Sequence, residues 1–214
     1  MKNVKLNRVI QIVYPILVYY ILYDALNVLF RVMFADSFGK LFCLMLAALV
    51  SIPFIYGIYH RLPILRMDGL PKKDALLRDL LLVLLVVVVG VILNIVVANL
   101  PLYDYSEGFS RANDTLSDGS LLIKILANVI FVPILEELLY RGIVLGQFSL
   151  WGHPLIGIVI SSVLFGIMHF NVIQFLYAFL VGIVLGISYV KTHNLVVPIL
   201  GHALTNLVVI LYFM

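Results

Sequence analysis

Three short stretches place reactive side chains at helical spacing in this 214-residue chain. They are PILEELLYRG with Glu136, Glu137 and Arg141, FGIMH with Phe165 and His169, and GHALTN with His202 and Asn206. All three lie within long apolar runs. A charged residue at the centre of a membrane helix costs about 2.5–3.5 kcal/mol on the insertion scale, so each such residue needs a partner or a task. Glu137 and Arg141 are spaced i, i+4 in the favourable acid-first order and brace each other. Glu136 points about 100° away and has no basic partner on its own helix. One acid is tethered and the other is free.

Taken singly, each stretch has a structural reading. A Glu–Arg pair pins two helices together or snorkels to the headgroups. A histidine on an apolar helix packs, and an asparagine in a membrane helix hydrogen-bonds its neighbour. The conjunction points further, because polar groups in lipid have only one another as partners. Glutamate, two histidines and asparagine converging from three helices make a water-activating hydrolase site. A desolvated carboxylate takes a proton from water, histidine holds or shuttles it, and asparagine donates to an oxyanion.

The elements that must position these groups follow from composition. Residues are 64% hydrophobic and only 12% charged, with a mean hydropathy of +1.15, whereas ordinary globular domains are about 25% charged. Such a chain has too little polar surface for a soluble globule and is expected to sit in a lipid bilayer. Its net charge of +3 comes from loop lysines and arginines and gives no reason to expect a nucleic-acid partner. The lone Cys43 excludes a disulfide framework and a cysteine zinc site.

A hydrocarbon core of about 30 Å needs roughly 20 apolar residues per helix. Seven runs qualify, near 8–30, 40–59, 79–99, 121–147, 154–170, 172–190 and 195–213. The expected fold is therefore all-α, a polytopic bundle of about seven helices (six to eight). Residues 1–119 form three N-terminal helices with their loops, and residues 120–214 a four-helix catalytic core. Lys2, Lys5 and Arg8 precede a run too long for a signal-peptide core, so it reads as a retained first span. Arg61, Arg66, Lys72, Lys73 and Arg78 follow the second run, and the loop after the third is acidic apart from Arg111. The positive-inside rule then puts the N-terminus in the cytoplasm. Counting back from the hairpin near Gly152 places Glu136 and His169 at one depth but deeper than His202. An interfacial turn within GQFSLWGHP is the expected remedy, with the site opening toward the cytoplasm.

EELLYR, FGIMH and HALTN, in this order and on separate apolar helices, resemble the E-E-x-x-x-R, F-x-x-x-H and H-x-x-x-N/D motifs of the CAAX prenyl protease and bacteriocin-processing (CPBP, or Abi) family of intramembrane proteases. The likeness covers roughly residues 120–210. It implies a peptidase in a bacterial cell membrane acting on a peptide or protein substrate, with possible settings in bacteriocin maturation or self-immunity. By motif, Glu136 is the water-activating carboxylate and His169 assists it. His202 and Asn206 orient water or stabilise the oxyanion, Glu137 and Arg141 shape the site, and Phe165 packs. Glu136, His169 and His202 are also candidate ligands for zinc with water in the fourth position. H-E-x-x-H is absent, so the balance lies with chemistry that needs no metal. Two other classes stand beside the peptidase: a non-catalytic bacteriocin-immunity or binding protein that keeps the fold, and a small transporter whose Glu–His cluster relays protons.

Overall fold

In a computed structural model the described residues are 2–64, 75–99, 114–115 and 118–212. Among them the chain is all helix. Seven helices follow one another: α1 (Lys2–Phe38), α2 (Lys40–Arg61), α3 (Leu76–Ala98), α4 (Leu121 to Leu150), α5 (Pro154–Ile167), α6 (Val172–Thr192) and α7 (Val196–Tyr212). Arg66, Lys72 and Lys73 of the basic loop, and most of the acidic loop, lie outside the described residues.

Among the described residues four uninterrupted α-helices are long and apolar enough to cross a membrane: Asn7–Phe38 within α1, α2, α3 and α6. The expectation of about seven membrane-spanning helices is met in part, since α5 and α7 are shorter apolar helices of 14 and 17 residues. At 1.5 Å per residue they reach only about 21 and 25 Å. α3 shows the two-sided character expected of a bundle in lipid. Asp79, Val83, Val86, Gly90 and Val97 are buried at helical spacing, while Leu77, Leu81, Leu84 and Ile92 face outward.

α4 alternates in winding. Its α-helical pieces Leu121–Ile125, Val132–Glu137 and Gly146–Leu150 flank two π-helical stretches, Leu126–Phe131 and Leu138–Leu145. The first π stretch ends where the Val132 amide donates to Ala127, five residues back. Pro133 comes next and has no amide hydrogen, so the carbonyl of Asn128, five residues before it, has no donor from its own helix.

The turn between α4 and α5 is confined to Trp151–His153, because Gly146–Leu150 is helical and α5 starts at Pro154. The turn therefore lies within GQFSLWGHP but takes up only three of its residues. The depth mismatch is absorbed elsewhere. Leu195, just before α7, packs at the level of Gly142, so the α4–α5 hairpin projects past the α6–α7 turn.

α5 ends earlier than expected. The amides of His169 and Phe170 bond only three residues back, to Gly166 and Ile167, and Phe170 turns the chain at φ 54°. Asn171 then caps α6, accepting from the Gln174 amide at 2.8 Å. Its side-chain nitrogen donates to the His169 carbonyl at 3.0 Å and also to the Gln174 side chain. At the other end of the bundle Gly39 joins α1 to α2 with φ 85°, a conformation that favours glycine. Asp118 there caps α2 by accepting from the Lys40 amide.

Candidate active site

Glu137 and Arg141 are both fully buried, and the guanidinium meets Glu137 Oε1 at 2.8 Å. The other Arg141 terminal nitrogen donates to the Gly182 carbonyl on α6 at 3.1 Å. A Cβ at position 182 would lie 3.2 Å from that nitrogen and 3.0 Å from Ser162 Cβ, so the close approach uses the missing side chain. The guanidinium also stacks 4.8 Å above the Phe165 ring. Desolvation makes an isolated buried arginine costly. This one has a carboxylate, a carbonyl and an aromatic face around it.

Glu137 has a second partner. His202 on α7 brings Nδ1 to 3.0 Å from the same Oε1. A carboxylate already paired with Arg141 accepts, so His202 carries its proton on Nδ1 and keeps Nε2 free. That Nε2 lies 3.8 Å from Glu136 Oε2, too far for a direct hydrogen bond and suited to a water donating to both. Glu136 is half-buried, with 14% of its side chain accessible, while that of Glu137 is closed off.

His169 sits just past α5, in the turn and not on the helix. The early end of α5 leaves the Phe165 carbonyl without its usual amide donor, and His169 Nδ1 lies 2.9 Å from it. A carbonyl only accepts, so this imidazole also holds its proton on Nδ1 and leaves Nε2 free. Phe165 is the wall between the two histidines. Its ring meets His169 at 5.2 Å and His202 at 5.7 Å, both edge-on.

Asn206 is one helical turn after His202 and donates through Nδ2 to the Asn128 carbonyl at 2.8 Å. That is the carbonyl which Pro133 leaves without a helical donor. The bond ties α7 to α4 beside the acids, in keeping with the structural reading of an asparagine in a membrane helix.

A cavity of about 770 Å³ opens onto these groups and is lined by Glu136, His169, His202 and Asn206. Sequence reasoning missed several contributors. Tyr19, Tyr20, Tyr23 and Asp24 line the cavity from α1. Tyr19 stacks on Tyr23 at 5.4 Å and meets Tyr140 of α4 edge-on at 6.4 Å. The Tyr-Tyr-x-x-Tyr-Asp cluster in an otherwise aliphatic run was the available signal. Asn171, which holds the turn carrying His169, was also missed; N-x-x-Q before an apolar run is a capping signature.

Glu136, His169 and His202 do not assemble as a three-ligand metal set. Among the described residues no three His, Cys, Asp or Glu side chains are placed to hold an ion. No direct hydrogen bond joins Glu136 to His169.

Residues 118–208 match the family described as "Type II CAAX prenyl endopeptidase Rce1-like". A 106-residue stretch is 30% identical to the Bacillus subtilis (strain 168) protein named "Putative membrane peptidase YdiL", covering 50% of this chain and 43% of that protein. The match thus spans less than half of that relative. No solved structure matches the chain. The matched segment, similar over residues 118–208 to the Rce1-like type II CAAX prenyl endopeptidase family, contains all six polar residues of the cluster.

Proposed function

We propose that this protein is an intramembrane endopeptidase that hydrolyses peptide bonds of membrane-associated peptides or proteins with water activated by Glu136. The observation that carries the reading is the 3.8 Å gap between Glu136 Oε2 and His202 Nε2, at the wall of a cavity among apolar helices. A water in that gap gives one proton to Glu136 while its oxygen attacks the peptide carbonyl carbon. His202 Nε2 accepts the water's second hydrogen bond and sets its direction. Glu137, with Arg141 behind it, fixes the imidazole tautomer that makes this possible. The tetrahedral oxyanion is met by the second Nδ2 hydrogen of Asn206, the first being committed to Asn128. Glu136 then returns its proton to the amine nitrogen as the carbon–nitrogen bond breaks. His202 Nε2, to which the remaining proton of the new carboxyl group is already hydrogen-bonded, accepts it, and His169 Nε2 assists from the other side of Phe165.

Residues 120–214 form the catalytic unit in this reading, and α1 completes the cavity wall. The protein is placed in a bacterial cell membrane with the N-terminus cytoplasmic, as the distribution of basic residues supports. Bacteriocin maturation or self-immunity is one setting in which the same hydrolysis would act on a ribosomally made peptide.

The test is incubation of the purified protein, in lipid nanodiscs, with a panel of apolar peptides, read by product mass with and without chelator. Wild-type protein cuts at least one peptide and Glu136→Gln cuts none. If Glu136→Gln retains turnover, the assignment of the base is wrong. If no peptide is cut by wild-type protein, the peptidase reading fails.

A further inference from the structure

The cavity is longer than the hydrolytic cluster needs. Lys124, Asn128, Val132 and Glu136 all line it, and their four-residue spacing makes them one face of α4. The cavity follows that face from Lys124 to Glu136 for at most about 18 Å at the α-helical rise of 1.5 Å per residue, and less because Leu126–Phe131 is π-wound. Arg31 of α1 lines the Lys124 end. Its level is fixed by neighbours: Cys43 of α2 bonds the Phe30 carbonyl, and Leu41 and Met45 pack on Ala127 and Ile123 of α4.

Arg31 and Lys124 are both half-buried on helices. Among the described residues neither has an ion-pair partner, and Arg31 Nε makes one long bond of 3.3 Å to Asn27. Of the described acids around these elements, Asp36 and Asp114 are exposed and make no ion pair with either cation. Asp118 is engaged by the Lys40 amide, and Asp24 sits two turns back along α1, toward Tyr20. Two cations kept on apolar helices and turned to a common cavity mark a place for an anion.

Resting on the peptidase reading, we propose that Arg31 and Lys124 form a carboxylate-binding subsite that sets where the substrate is cut. An extended chain advances about 3.3–3.6 Å per residue. The span of at most about 18 Å from Lys124 to Glu136 therefore puts the carboxylate about four or five residues beyond the scissile bond. The carboxylate can belong to an Asp or Glu side chain or to the substrate's C-terminus.

The experiment uses apolar 14-residue peptides in which one Asp is moved stepwise along the sequence, each paired with its Asn counterpart. Every peptide is made as free acid and as C-terminal amide, and product masses locate the cut. The expected result is a cut that moves with the Asp at a constant offset in the amides. Free acids of the Asn peptides are cut at the same offset from the terminus. In Arg31→Gln/Lys124→Gln the Asp-to-Asn turnover ratio, at least tenfold in wild-type protein, falls to about one. The charge-preserving Arg31→Lys/Lys124→Arg variant restores tracking, which separates charge from folding. A cut site indifferent to the Asp overturns the subsite and leaves the peptidase standing. Should no peptide be cut, the peptidase reading fails, and binding of the same peptides to the Glu136→Gln protein decides the subsite. Equal affinity for Asp and Asn amides, or displacement of bound Asp peptide by phosphatidylglycerol alone, overturns it.

Discussion

Asn206 reaches across from α7 to donate to the Asn128 carbonyl at 2.8 Å, an acceptor that is available because Pro133 brings no amide to the π-wound stretch before it. The proline therefore sets the winding of α4 just ahead of Glu136 and Glu137. Pro133→Ala supplies the missing donor and lets α4 regain regular winding, turning both acids relative to α7. The expected outcome is an unchanged or raised melting temperature, since alanine suits a helix interior better, together with at least a tenfold loss of turnover. Melting and peptide hydrolysis measured on the same preparation check this. Full activity in Pro133→Ala would show that the proline does not set the register.

The two adjacent acids should separate cleanly on substitution. Glu136→Gln removes the proposed base and is expected to abolish hydrolysis with melting close to wild type, because the carboxylate stands at the cavity wall 3.8 Å from His202 with no direct hydrogen bond to it. Glu137→Ala strips the buried Arg141 of its charge partner and His202 of its acceptor. Breaking a buried pair from one side costs about 3–5 kcal/mol. The expected result is low yield or a large drop in melting temperature. Similar melting behaviour for both variants would contradict the division of labour between them.

How far the sequence reaches is plain at these residues. The Glu137–Arg141 pair was legible from i, i+4 spacing, and three helix-borne motifs located the cluster, because local periodicity fixes which side chains share a face. Contacts between helices were not. The partner of Glu136 is His202 on α7, and that of His202 Nδ1 is Glu137; no spacing within one helix encodes either. The π stretches escaped notice because their hydrogen-bond register answers to packing and to one proline. The end of α5 at Ile167 was hidden by the apolar run continuing through HFNV, although the capping signature at Asn171 lay in view. The tyrosines of α1 join the cavity only through tertiary packing.

Gly182 offers a test of the arginine's seat. Adding a methyl group there brings it against Arg141 and Ser162 Cβ at 3.2 and 3.0 Å, inside ordinary contact distance. Gly182→Ala must push the guanidinium off the Gly182 carbonyl or spread α6 from α5. Overpacking of this kind costs about 1–3 kcal/mol. Melting is expected to fall accordingly, with reduced turnover because Glu137 and His202 move with Arg141. An unperturbed melting curve would show that α6 yields without cost.

The cap at Asn171 should act on chemistry through His169. Asn171→Ala removes the bond to the Gln174 amide and the bond to the His169 carbonyl, and losing an N-cap costs about 0.5–2 kcal/mol. A small drop in melting temperature is expected with a larger relative loss of turnover. Asn171→Ser, which retains a capping oxygen, should recover the stability before the activity.

The pairing of both imidazoles predicts their tautomers. Phe165 presents a carbonyl to His169 Nδ1 at 2.9 Å, and Glu137 presents a carboxylate to His202 Nδ1 at 3.0 Å. Each acceptor requires the ring proton on Nδ1, so in the neutral state both Nε2 atoms are unprotonated. Solid-state nitrogen spectra of ring-labelled protein in bilayers, assigned by His169→Gln and His202→Gln, should show this pattern at both sites. Glu137→Gln offers His202 an amide oxygen in place of a charge, so the Nδ1 tautomer is retained but less strongly favoured. The His169 signal should stay unchanged in that variant. A proton on Nε2 of His202 in the wild-type protein would leave no lone pair to orient the attacking water, and the roles assigned to His202 and Glu137 would both fall.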